Sequence, residues 1–262
     1  MTAALETFGL SKRFGALRVA SDIHFTLEQG ARHALIGPNG AGKTTLVNLL
    51  TGRIAPSSGR IMLDGQDITG IGQAARVRRG LARTFQINNL FPALTALENV
   101  RLAVAEHRGL TTPRRALLDE ALTILRVLGI DEDAGAVVRE LPYGKQRLIE
   151  IAIALAAEPS VLLLDEPAAG VPSGESGIIL DVIGRLPASM AVLMIEHDMN
   201  LVFRFAHRIT VLFIEHDMEL VFRLASRIIV MVSGGILLEG TPTEIAADPR
   251  VREVYLGTRA HE

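Results

Sequence analysis

A chain of 262 residues, 48% of them hydrophobic and with a net charge of −2, has material for one large core or two small ones, which excludes a disordered protein. The near-neutral balance offers no basic face for nucleic acid, and the absence of cysteine excludes a disulfide framework or a thiolate metal site. The opening MTAALETFGLSKRF lacks the apolar core of a signal peptide, and apolar runs such as Ile151 to Ala157 and Ile228 to Val232 fall far short of the ~20 residues that span a bilayer. The chain therefore reads as cytoplasmic, meeting a membrane only through a partner.

In chain order, FTLEQGARHALIG and GRIMLDGQDI read as strands closed by glycine turns, an antiparallel β element. Between them, Gly37 to Thr44 reads GPNGAGKT, a full match to the phosphate-loop pattern G-x-x-x-x-G-K-[ST]. Its flanks are in the required order: ARHALIG is a buried-strand run, and TTLVNLLTG carries Leu46, Leu49 and Leu50 on one helix face. Gly37, Gly40 and Gly42 let backbone N–H groups turn inward onto phosphate at a helix N-terminus. Lys43 is placed to reach the β- and γ-phosphates and Thr44 to ligate Mg²⁺. Pro38, Asn39, Ala41 and Thr45 complete the residues expected around the nucleotide.

Residues from about 87 to 157 read as helix-rich. LTALENVRLAVAEH and RRALLDEALTILRVLGI have apolar residues three and four apart, Gly109 to Pro113 separates them, and Asp131 to Gly135 is a polar loop. LPYGKQR at Leu141 to Arg147 then runs into the helix LIEIAIALAAEP. Strands resume at VLLLDE, Val161 to Glu166, an apolar run ending in two acids that looks like a Walker B strand. There Asp165 is expected to hold the Mg²⁺ shell and Glu166 to polarise the attacking water.

LPYGKQR resembles the signature of ABC-transporter ATPases, usually LSGGQQR. In the same family order, Gln86 in ARTFQ resembles the Q-loop glutamine, Phe14 in SKRFG the aromatic that stacks on adenine, and His197 in IEHD the switch histidine. Read alone, Gln86 is as compatible with a solvated surface, Phe14 with a core, and His197 with a helix start. The resemblance implies one α/β domain over 1–262, a P-loop NTPase of ABC type with a mostly parallel core sheet, an antiparallel β element and a helical subdomain. Residues 1–86 and 158–262 would form the nucleotide-binding core and 87–157 the helical subdomain. It further implies ATP and Mg²⁺ as cofactors, with Thr44, Gln86 and Asp165 around the metal and Glu166, His197 and Gln86 around the reacting phosphate.

The implied partners are a second copy or a paralogous ATPase subunit arranged head to tail, transmembrane permease subunits, and indirectly a substrate-binding protein, with the chain peripheral on the inner face of the cell membrane. Tyr143, Gly144 and Lys145 would face the nucleotide of the opposite subunit. Here the chain departs from the pattern: Pro142 replaces the usual serine, Tyr143 a glycine and Lys145 a glutamine. Pro142 supplies neither hydroxyl nor N–H, but it suits a helix start. ARTFQ, LPYGKQR, DEPAAG, IEHDM and EGTPTEIAADPRVREVYLG together resemble the ATPase subunits of branched-chain amino-acid importers. Related patterns occur in urea or amide importers and in the lipopolysaccharide-export ATPase. Two other readings stand beside transport: a soluble ABC ATPase, whose usual coiled-coil insert or tandem cassette is not visible, and a catalytically impaired nucleotide-binding subunit.

One segment departs from any single-copy pattern. LMIEHDMNLVFRFAHRITV, Leu193 to Val211, recurs as LFIEHDMELVFRLASRIIV, Leu212 to Val230, with fourteen of nineteen positions identical. Each copy of this tandem duplication (193–230) reads as strand, His-containing turn and amphipathic helix, but only one sheet position beside the Walker B strand exists. His197 lies 31 residues beyond Glu166 and His216 lies 50 beyond, and the first spacing is closer to the family's. The first copy is thus expected in that position, with Ile209 to Ile214 a strand and Met218 to Ser226 an extra helix. The rival arrangement loops out copy one and uses His216.

Overall fold

The computed structural model describes residues 2–35, 42–84, 90–109, 111–167, 169–171, 173–195, 210–212, 227–232, 234–240, 244 and 247–250. In chain order these form β1 (Ala3–Phe14), β2 (Leu17–Glu28), β3 (Arg32–Leu35), α1 (Lys43–Leu50), β4 (Ser58–Leu63), β5 (Gln66–Asp67), α2 (Gln73–Val77), β6 (Leu81–Arg83), α3 (Ala96–Arg108) and α4 (Arg114–Val127). After them come α5 (Tyr143–Leu155), β7 (Val161–Asp165), α6 (Ser173–Gly184), β8 (Ala191–Ile195), β9 (Thr210–Leu212), β10 (Arg227–Val232) and β11 (Gly235–Gly240). The loop expected over Asp131 to Gly135 contains a single 3-10 turn, Asp131–Asp133.

Three sheets result. An antiparallel sheet has the order β2-β1-β4-β5, a parallel one β3-β8-β7-β6, and a third β11-β10-β9. The parallel order follows from composition: all five residues of β7 and all five of β8 are buried, as strands covered on both faces must be. The antiparallel sheet packs into the same core through Leu5, Leu10, Ile23, Leu27 and Ile61, which join Leu49 and Leu50 of α1.

The helical segment is built separately. α3 opens on a capping box in which the Thr95 hydroxyl accepts from the Glu98 N–H while the Glu98 carboxylate accepts from the Thr95 N–H, and the bonds donated to that carboxylate by the Thr95 N–H and hydroxyl hold it below its ordinary range. Leu117, Ala121 and Leu125 form the buried stripe of α4. Asn99 of α3 donates to the carbonyls of Phe91 and Thr95 and accepts from the Phe91 N–H, pinning the chain that leads into the helices.

α1 ends on a buried cation. Arg76 of α2 is 1% exposed and donates to the carbonyls of Leu49 and Leu50, each at 2.7 Å, and to those of Ile71 at 2.9 Å and Thr69 at 3.0 Å. A helix C-terminus leaves carbonyls without intrahelical donors, and the guanidinium fork supplies them. Burial pushes Arg76 down to about 10, opposed by the nearby Asp67 carboxylate.

The first copy of the repeat supplies β8. Its residues pair with β3 on one side (Leu193 with His33) and with β7 on the other (Leu193 with Leu163), so copy one occupies the place beside the Walker B strand. β9 contains the Val211–Leu212 junction of the two copies and pairs in parallel with β10, inside the strand expected over Ile209 to Ile214. Met218 to Ser226 lie outside the described residues. Volume explains the choice of copy: Ala191 and Met194 are fully buried, and nineteen residues later the strand run that leads into the second copy has Thr210 and Phe213. The slot would have to bury a hydroxyl and a larger ring at native packing density.

Two outcomes follow from these contacts. Ala191→Thr and Met194→Phe, which write into β8 the residues found nineteen positions later, should each cost about 1–3 kcal/mol in urea denaturation; a cost near zero for both removes packing as the selector. Arg76→Met, which removes the guanidinium donor from the α1 terminal carbonyls, should cost about 3 kcal/mol or more by the same measurement, and a loss under about 1 kcal/mol would contradict the capping role.

Candidate functional site

The phosphate-loop helix starts without a side-chain cap. Gly42 stands at its N-cap in the left-handed region, φ 99°, which glycine adopts without steric cost. The N–H groups at such a helix start are the kind of donors an anion requires. Lys43 is half-buried and Thr44 is exposed at the same helix start, followed by Thr45. Burial pulls the Lys43 ammonium down while the charges of Glu166 and Asp165 push it up, so these three groups lie within electrostatic reach of one another. Gly37, Pro38, Asn39, Gly40, Ala41, Gln86, His197 and His216 lie outside the described residues.

Asp165 ends β7 with its side chain 5% exposed, and a buried carboxylate needs compensation. Arg83 of β6, itself 7% exposed, donates from Nη2 to Asp165 Oδ2 at 2.5 Å and from Nη1 to Asn48 Oδ1 on α1 at 2.9 Å. The Asp165 N–H donates to the Thr84 hydroxyl at 3.3 Å. Thr44 and Asp165 make an all-oxygen donor pair of hydroxyl and carboxylate, which fits Mg²⁺, a hard cation that keeps several of its waters.

Glu166 follows in the left-handed region at φ 48°, although it is not glycine and precedes Pro167. That backbone costs about 1–2 kcal/mol, and it is locked by the Glu166 N–H donating to the Ile195 carbonyl at 2.9 Å and the Ala169 N–H donating to the Glu166 carbonyl at 3.0 Å. Strain held by its surroundings is a mark of functional positions. Here it swings the second acid out of the strand direction just where β7 meets the end of β8.

The signature residues sit at the start of α5. Pro142 is its N-cap, φ −54° and ψ 149°, and its carbonyl accepts from the Gln146 N–H, so the proline opens the helix as its geometry suits. The Tyr143 ring lies against Gly170, where an added Cβ would come within 3.2 Å of it, and Arg147 stacks over the same ring at 5.2 Å. Arg147 also pairs with Glu150 at 2.7 Å, both buried. Gly144 is buried, and Lys145 pairs with Asp133 of its own chain at 2.6 Å. Phe14 stands apart at the β1–β2 turn, the residue 50% exposed and Lys12 Nζ 5.0 Å from its ring centroid. Sequence reasoning missed Arg83, Asn48, Arg147 and Asp133. The signal for Arg83 was present, a charge within ARTFQ itself, but its partners are remote in sequence.

A cavity of about 650 Å³ between Val127, Leu155, Leu186 and Met190 lies at the N-terminal ends of β7 and β8, opposite the end that carries Asp165.

A family model described as "ABC transporter" matches residues 20–169, and one described as "Branched-chain amino acid ATP-binding cassette transporter" matches residues 236–261. The high-affinity branched-chain amino acid transport ATP-binding protein BraF of Pseudomonas aeruginosa is 38% identical, the match covering 97% of each chain. The similarly named LivG of Escherichia coli K12 is also 38% identical over 97% of each chain. Among solved structures, the ADP conformation of MJ1267, an ATP-binding cassette of an ABC transporter, superposes with a TM-score of 0.76 at 27% identity, covering 98% of this chain and 100% of that one. A phosphate-loop lysine within reach of two strand-end acids, on this sheet order and with this extent of likeness, places the chain in the ABC transporter ATP-binding family.

Proposed function

We propose that this chain is the ATP-hydrolysing subunit of an importer of branched-chain amino acids, working as a head-to-tail dimer beneath permease subunits on the inner face of the membrane. The observation that carries the hydrolytic part is the convergence of Lys43, Asp165 and the strained Glu166. The substrate class rests on the two relatives named for branched-chain amino acid transport and on the match at residues 236–261.

In this reading the α1 N-terminus and Lys43 bind the β- and γ-phosphates, with Gly37 to Gly42 wrapping them. Thr44, Asp165 and Gln86 would hold Mg²⁺, which neutralises charge on the phosphates when bound. Glu166 orients the attacking water, and His197 contacts the γ-phosphate. Phe14 offers its exposed face to adenine. Tyr143, Gly144 and Lys145 belong to the helix end offered to the partner's nucleotide, where Gly144 and the α5 dipole act without the hydroxyl Pro142 lacks. Lys145, held by Asp133, and Tyr143, packed on Gly170, act chiefly by setting that end in place. An impaired subunit is the second reading, favoured by Pro142 alone.

Glu166→Gln should lower steady-state phosphate release by about a hundredfold or more while ATP titration remains near parental and a dimer accumulates on ATP; unchanged turnover sinks the assignment. Lys43→Ala should instead weaken ATP binding itself, and an unaltered affinity rules out the phosphate-loop role. For the repeat, His197→Ala should abolish turnover and His216→Ala should leave it; the reverse pattern transfers the switch to copy two. If the parent releases phosphate for only a single turnover, the impaired reading replaces the first. Permease subunits that co-purify from membranes identify the transported substrate.

A further inference from the structure

We infer that Arg83 is a positioning residue for the Mg²⁺ site: it sets the gap between α1 and β7 and commits one oxygen of Asp165, so that the other is the oxygen left for the metal shell. The inference rests on the reading of Asp165 as a metal-shell carboxylate.

Three elements meet at this guanidinium. It arises from β6, whose Arg83 pairs in register with Leu163 of β7, and reaches along the sheet to Asp165 two residues further on. Its other arm holds Asn48, which shares α1 with Lys43 and Thr44. The planar fork fixes both distances together, which a flexible ammonium does not. The neighbouring Thr84 closes the arrangement, donating its N–H to the Leu163 carbonyl at 2.9 Å and accepting from the Asp165 N–H. The phosphate-binding helix and the metal-binding strand end are thereby joined through a side chain that belongs to neither.

Energetics point the same way. A cation so close to a metal site repels the metal, so it would weaken binding unless it contributes something larger. What it contributes is compensation of a buried carboxylate before the nucleotide arrives, together with a fixed rotamer for that carboxylate. Groups that orient a metal ligand in this way typically account for about 10–100-fold in metal affinity.

The test is ATP affinity of the full chain measured by titration in Mg²⁺ and again in EDTA, for the parent and for Asp165→Asn, Arg83→Met, Arg83→Lys and Asn48→Leu. Asp165→Asn should lose most of the Mg²⁺-dependent gain in affinity. Arg83→Met should lose about tenfold of that gain with little change in EDTA. Arg83→Lys and Asn48→Leu, each keeping half of the bridge, should fall between and should fold even if Arg83→Met does not. A Mg²⁺-dependent gain kept in full by the Arg83 and Asn48 variants, or lost equally in Mg²⁺ and EDTA, overturns the inference while leaving Asp165 in its role. If Asp165→Asn itself keeps the gain, the metal reading of Asp165 fails and the inference fails with it.

Discussion

The carboxylate at the end of β7 is the constraint from which the arrangement of the site follows. A strand buried over its whole length terminates in Asp165, and an acid in that environment must be compensated or excluded. The chain compensates it from two directions, Arg83 from the neighbouring strand and the charge of Lys43 from α1, while the Thr84 hydroxyl accepts from the Asp165 backbone N–H. These partners come from two segments, α1 and the ARTFQ strand, so compensating the acid also brings the phosphate-loop helix, the ARTFQ strand and the Walker B strand together at one end of the sheet. α1 cannot slide away from this end because Arg76 grips its last carbonyls.

A second set of contacts links that end to the helical segment. Arg147 stacks on Tyr143 and pairs with Glu150, while Tyr143 fills the space beside Gly170, four residues beyond the strained Glu166. The turn after β7 and the start of α5 are thus in direct side-chain contact. The departures from the usual signature find a physical place in this chain: Tyr143 occupies volume against Gly170, Lys145 binds Asp133, and Pro142 starts the helix.

The duplicated segment shows how a sheet discriminates between nearly identical strands. The two candidate strands for the position between β3 and β7 differ at Ala191 against Thr210 and at Met194 against Phe213, both smaller or more compliant in the copy that is used. In a slot buried on both faces, added volume has nowhere to go. The remaining strand material forms the third sheet, where β9 and β10 run parallel and β10 pairs antiparallel with β11.

The sequence by itself determined the family and the order of elements. A glycine-rich loop between an apolar strand run and a leucine-faced helix, followed by VLLLDE, is local patterning that depends on spacing alone, and α1, α3, α4, β7 and β8 lie where the periodicities put them. It also ranked the two histidine-bearing copies, because the distance from Glu166 is a property of the chain. Only the tertiary structure decided which side chains compensate which charges. Arg83 with Asp165 and Arg76 with the α1 carbonyls join residues tens of positions apart, and no periodicity encodes such pairs. The left-handed turn at Glu166 belongs to the same class: nothing in the dipeptide Glu166–Pro167 favours it, and it persists because the Ile195 carbonyl, on a strand that reaches its place only when the sheet forms, holds the Glu166 N–H.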